Sequence, residues 1–132
     1  MKSPYDQYRK VQAETGSGAD LVLMLYQGAV RFMNRGIAAI ERRNIEDAHD
    51  ALLRAQDIMR ELQASLNHEA GGDLANGLFS LYQYCVDRLI EANLRKDAEP
   101  VREVRALVQE LLSAWEQAMR AARTTRRSEL SG

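Results

Sequence analysis

Prolines, phenylalanines and cysteines are scarce in this chain, at 2, 2 and 1 among 132 residues. A single cysteine excludes an internal disulfide, and Cys85 falls on an apolar line where it reads as a small buried hydrophobe. Few prolines and aromatics, with abundant Ala, Leu, Glu, Gln and Arg, argue against a sheet protein and for helices. Charge of one sign is also missing: 18 basic and 19 acidic residues leave a net charge of -1, spread along the chain. No global field therefore exists to attract nucleic acid or an anionic membrane. No apolar run approaches the roughly 18 residues of a membrane span. No charged start precedes a short apolar segment as in a signal peptide, so a cytoplasmic protein is expected.

Catalytic apparatus is equally thin. The sequence has no G-x-S-x-G, no glycine-rich phosphate loop, no Cys-x-x-Cys and no converging Ser/His/Asp set. A di-iron bundle needs Glu-x-x-His on two helices, and here only Glu46 to His49 fits, since Ser65 stands three before His68. His49 also lacks the closely following Lys and Gly of a phosphotransfer histidine, having Asp50-Ala51-Leu52-Leu53-Arg54 after it. A solvated surface histidine is expected, with no metal, no cofactor and no enzyme activity.

What is present is helical periodicity in a chain of one-domain length. From Ser17, which can cap, Leu21, Leu25, Gly28, Phe32, Gly36 and Ala39 form one line, and Val22, Tyr26, Ala29, Met33, Ile37 and Ile40 a second. Gly28 and Gly36 inside a helix predict close approach by a neighbouring backbone. Asn44 can cap a second helix, with Glu46 and Asp47 in its first turn and a seam of Ile45, Ala48, Leu52, Ala55, Met59, Leu62 and Leu66. Its other face reads as charged throughout. Asn67 to Gly72 predicts a turn, with His68 exposed, and Asp73 the cap of a third helix.

That third helix carries Leu74, Leu78, Leu81, Cys85 and Leu89 on one line and Ala75, Phe79, Tyr82, Val86 and Ile90 beside it. Asp97 can cap a fourth, with Pro100 in its first turn, followed by a narrower seam of Val101, Val104, Val108, Leu111, Trp115, Ala118 and Ala122. The apolar period stops there, which predicts a disordered basic tail over 123–132. The expected architecture is all-α: an antiparallel up-down-up-down four-helix bundle over 17–122, with a short N-terminal segment, 1–16, packed as a cap or lid. The doubled lines on helices one and three exceed what a simple bundle buries and invite a partner.

The runs T-G-S-G-A-D-L-V-L-M-L-Y-Q-G-A-V-R-F (15–32), A-H-D-A-L-L-R-A-Q-D-I-M-R-E-L-Q-A-S-L (48–66), G-G-D-L-A-N-G-L-F-S-L-Y-Q-Y (71–84) and E-A-N-L-R-K-D (91–97) resemble the FliS family of flagellar secretion chaperones. The resemblance covers nearly the whole chain to about Ala122, through L-Y-x-G, A-Q-x-I, L-x-x-L-Y-x-Y and A-N elements in order. It departs at the first helix cap, where the family has Ser-Pro-Glu and this chain has Ser17-Gly18-Ala19.

The resemblance implies a cytoplasmic, non-enzymatic chaperone. It would hold the C-terminal segment of flagellin in apolar grooves, prevent premature polymerisation and aid delivery to the type III export apparatus. An export gate component or a co-chaperone is an additional expected partner. Carried over residue by residue, the cargo-binding set is Tyr5, Tyr8 and Gln12; Leu21, Leu25 and Tyr26; Gln56 and Ile58; and Leu78, Leu81, Tyr82 and Asn93. Within helix three, Leu74, Cys85 and Leu89 are expected to serve the core and Leu78, Leu81 and Tyr82 the groove. A self-associating adaptor or phosphorelay-type module is the alternative.

Overall fold

Capping chemistry at short polar turns sets the helix boundaries. A computed structural model describes residues 18–131. Within them lie α1 (Ala19–Glu41), α2 (Ile45–Ala64), α3 (His68–Arg95) and α4 (Ala98–Ser131). The Asn44 side chain accepts from the Asp47 N–H at 3.1 Å, as expected of a cap, and Asp97 accepts from the Glu99 N–H at 3.0 Å. At α1 the cap is Gly18, which has no side chain to offer, so Asp20 in the first turn supplies the favourable charge.

The turn before α3 differs from expectation. Asn67 caps an extra helical turn by accepting from the Ala70 N–H, and the break comes at Gly72, whose φ of 51° suits a residue without a Cβ. α4 also runs past Ala122 to Ser131, where a disordered tail is expected. Residues 123–130 are all exposed, so no packing holds them. They contain no Gly or Pro, and extending an existing helix needs no new nucleus. The expected lid over 1–16, with Tyr5, Tyr8 and Gln12, lies outside the described residues.

Connections this short force neighbouring helices to run antiparallel. α1 packs on α2 and α4, and α3 packs on the same two, giving a four-membered ring in chain order. The core fills from all four helices, with Val22, Tyr26, Met33, Leu52, Met59, Leu62, Tyr82, Leu89 and Val101 sealed from solvent. Across the diagonal, the hydroxyls of Tyr26 and Tyr82 hydrogen-bond at 2.6 Å and tie α1 to α3. At the far end the Trp115 indole N–H donates to the Ala19 carbonyl at 3.1 Å, fastening α4 to the start of α1.

The glycines of α1 meet side chains rather than backbone. A Cβ on Gly36 would lie 2.8 Å from Leu52 Cδ2 and 3.2 Å from its Cγ, and Leu52 is fully buried. Gly36→Ala is therefore expected to destabilise the bundle by about 1 to 3 kcal/mol in urea denaturation, more than the gain of about 1 kcal/mol in helix propensity. A Cβ on Gly28 would meet the tip of Ile58 at 3.3 Å and the end of Arg31 at 3.7 Å, and both are ends of flexible side chains that can yield. Gly28→Ala is expected to be neutral or to stabilise by up to about 1 kcal/mol. Equal effects at both sites would contradict this packing.

Candidate functional site

The two halves of the bundle have different surfaces. Around the α1–α2 and α3–α4 turns, interhelical ion pairs close the seams: Arg35 with Asp47 and Asp50, Arg88 with Glu103, and Arg102 with Glu41. The hydrogen bond from Arg35, followed by the charges of Arg35 and Arg42, holds the Asp47 carboxyl below its usual range. Glu103 is lowered in the same way, first by the Tyr84 hydroxyl, which donates at 2.5 Å, then by Arg88 at 2.7 Å. The side chains range from 18% exposed at Asp47 and 29% at Arg88 to 57% at Glu41, so water still screens the pairs, which orient the seams more than they stabilise them.

Toward the other end, where α1 and α3 begin and α2 finishes, apolar side chains replace the ion pairs on the surface. On α1 Met24 is 63% exposed and Leu21 40%, and on α3 Phe79 is 40% and Leu74 38% exposed. Leu25 and Phe32 on α1, Ile58 on α2 and Leu81 on α3 are half-buried. The α1–α2 seam shows the transition along its length. Ile58 lies against Gly28, the Arg54 guanidinium sits 5.6 Å over the Phe32 ring, and Arg35 then begins the ion-paired stretch. On the α2–α3 side Gln63 donates to the Phe79 carbonyl and to Gln83, and the His68 ring packs edge-on to Phe79 at 5.5 Å. The outer ring face of Phe79 is left to solvent.

The sequence-expected site residues separate into three groups. Leu21, Leu25, Ile58 and Leu81 reach the surface of this apolar half. Tyr26, Gln56, Leu78 and Tyr82 are buried, so they shape the walls from behind and offer nothing to a surface partner in this conformation. Asn93 lies at the opposite end. The expected division of α3 is thus corrected: Cys85 and Leu89 are in the core, but so are Leu78 and Tyr82, while Leu74 is outside. Sequence reading passed over Met24, Leu53 and Phe79 as site residues. Phe79 had a visible signal, an aromatic on the second line of a doubly apolar helix. Leu53 breaks the charged face expected of α2.

Asn93 is nearly buried and brackets two other residues. The Lys96 ammonium donates to its carbonyl and to its Oδ1, both at 2.6 Å, and its Nδ2 lies 3.0 Å from His49 Nδ1. An ammonium can only donate, so the amide oxygen must face Lys96 and the NH2 must face His49. His49 Nδ1 then accepts from that amide. His49 is exposed as expected, though tied at one nitrogen. Cys85 is buried, and loss of solvent, with the nearby Glu103 charge, pushes its thiol up to about 11, so it stays protonated and unreactive. Among the described residues no group of three or more His, Cys, Asp or Glu is placed to hold a metal. Among them, too, no helix is long and apolar enough to cross a membrane.

Residues 1–122 match the family model described as flagellar protein FliS. The chain is 32% identical over 126 residues to the flagellar secretion chaperone FliS of Bacillus subtilis, covering 96% of this chain and 93% of that protein. It is 33% identical over 121 residues to the FliS chaperone of Vibrio cholerae, covering 89% of each. To that of Salmonella typhimurium it is 35% identical over 115 residues, covering 83% and 85%. The chain belongs to the FliS family of flagellar secretion chaperones.

Proposed function

We propose that this protein is a cytoplasmic export chaperone that binds the C-terminal segment of flagellin on the apolar half of its bundle. The bound segment is kept from polymerising and is delivered to the flagellar type III export apparatus. The observation that carries this reading is the concentration of Leu21, Met24, Leu74 and Phe79 at the end of the bundle away from the interhelical ion pairs. Leu21 and Met24 on α1 and Leu74 and Phe79 on α3 leave apolar surface on either side of α2 that a bound segment could cover. A segment unfolded on its own can lay apolar side chains along the seams and order as it binds, without any nucleotide or cofactor.

Titration calorimetry with a C-terminal fragment of flagellin tests this directly. The expected result is a saturable one-to-one complex whose heat-capacity change is negative, the sign given by apolar burial. No binding, together with sedimentation of the chain as a dimer, would replace this reading with self-association through the same surface.

A further inference from the structure

At the opposite end, the α1–α2 and α3–α4 turns enclose a pocket of about 320 Å³. Its floor is Ala39, Ile40 and Ala48, its rim includes Ile45, 65% exposed, and two cations, Arg43 and Lys96, stand over it. The volume is at the lower end of the range in which small apolar ligand groups are held. One large aliphatic or aromatic side chain is the size of guest it suits.

The charges around the pocket are unevenly matched. Arg42 pairs with Asp47, Arg95 with Glu91, and Arg102 with Glu41 and Glu99. Among the described residues the Arg43 side chain has no ion pair or hydrogen bond, its backbone N–H alone donating to the Ile40 carbonyl, and the Lys96 ammonium meets only the neutral carbonyl and amide oxygens of Asn93. Two of the three ammonium protons are used there, and the third remains for an acceptor over the pocket. Both cations also occupy left-handed backbone, with φ of 61° at Arg43 and 53° at Lys96, a conformation in which glycine is the ordinary choice. Long cations sit where glycine would be less strained, and both of them face the same cavity.

We propose that this pocket is a second docking site, which anchors one apolar side chain of a partner protein's acidic segment. The anchor enters over Ala39 and Ala48, and carboxylates on either side of it meet Arg43 and Lys96. Asn93 is a positioning residue that holds the Lys96 ammonium at the rim. The site is separate from the apolar half and stands whether or not flagellin binds there.

The test is a titration of the isotope-labelled protein, followed by amide NMR, with the probe acetyl-Glu-Glu-Leu-Glu-Glu-amide. Saturable shifts centred on Ala39, Ala48 and Lys96 are expected, weakening as salt is raised. The same peptide with Lys in place of Glu is expected to leave these signals unmoved. Arg43→Gly suits the left-handed backbone, so this variant keeps the fold and thermal midpoint, and it should bind the acidic peptide roughly three- to tenfold more weakly. Equal binding of the two peptides, shifts centred elsewhere, or undiminished binding by the folded Arg43→Gly variant would each overturn the proposal.

Discussion

Tyr82→Ala is expected to lower the unfolding free energy by about 3 to 5 kcal/mol, as truncation of a sealed aromatic does. Domains of this size have roughly 5 to 15 kcal/mol in total, so the variant sits close to unfolding at ambient temperature. Two losses add: the ring leaves a cavity at the meeting point of the helices, and the 2.6 Å hydrogen bond between the Tyr26 and Tyr82 hydroxyls is removed. Tyr82→Phe isolates the second loss, and a drop of about 0.5 to 1.5 kcal/mol is expected. In the Tyr26→Phe, Tyr82→Phe double variant the two effects should be less than additive, because one hydrogen bond is being removed twice. Urea denaturation followed by far-UV circular dichroism measures all three. If Tyr82→Ala leaves stability unchanged but weakens cargo binding, Tyr82 belongs to the surface site that the sequence pattern assigned to it. The fully buried ring predicts the reverse: a fold defect first, with any binding defect following from it.

The contrast shows where sequence periodicity stops being informative. Asn44, Asp97 and Pro100 act through backbone within a few residues, so their capping roles and the helices they begin were legible directly. The seam of α2 was legible too, since one narrow apolar stripe admits one orientation. α1 and α3 each carry two adjacent apolar lines, and such a helix can rotate by tens of degrees about its axis with little change in apolar burial. Which line faces inward is then decided by neighbours that periodicity does not see. In α3 the resolved orientation sends Leu78 and Tyr82 inward and leaves Leu74 and Phe79 at the rim. The ion pairs from Arg88 to Glu103 and the bond from Gln63 to Gln83 fix that orientation from either side, and both partners lie on other helices. The placing of Asn93 at the opposite end was not legible for a related reason. Its A-N element was recognisable in the sequence, but its role comes from Lys96 and His49, which meet only once the turns are formed.

If the apolar half is the cargo surface, a charge placed there should abolish binding without disturbing the fold. Met24→Asp and Phe79→Asp are the informative changes, because both side chains reach solvent, Met24 at 63% and Phe79 at 40%, and stability should stay within about 0.5 kcal/mol of the parent for Met24→Asp and about 2 kcal/mol for Phe79→Asp, whose ring also packs on His68. Each introduces a carboxylate that a bound apolar segment would have to desolvate without a cation to pair it. The expected loss in affinity for the flagellin fragment is about 10- to 100-fold for each variant, the range for a central apolar anchor of an interface. Leu94→Asp supplies the control. Leu94 is more exposed than either, at 83%, and lies on the last turn of α3, at the ion-paired end. It should change cargo affinity by less than about twofold if exposure alone is not what the partner reads. Equal losses at Phe79 and Leu94 would mean that the cargo wraps the whole bundle, and the two-halved surface would then have no bearing on recognition. Losses confined to Met24 and Phe79 would tie cargo binding to the end where α1 and α3 begin. The seams latched by Arg35, Arg88 and Arg102 would then be the rigid support against which the flagellin segment orders.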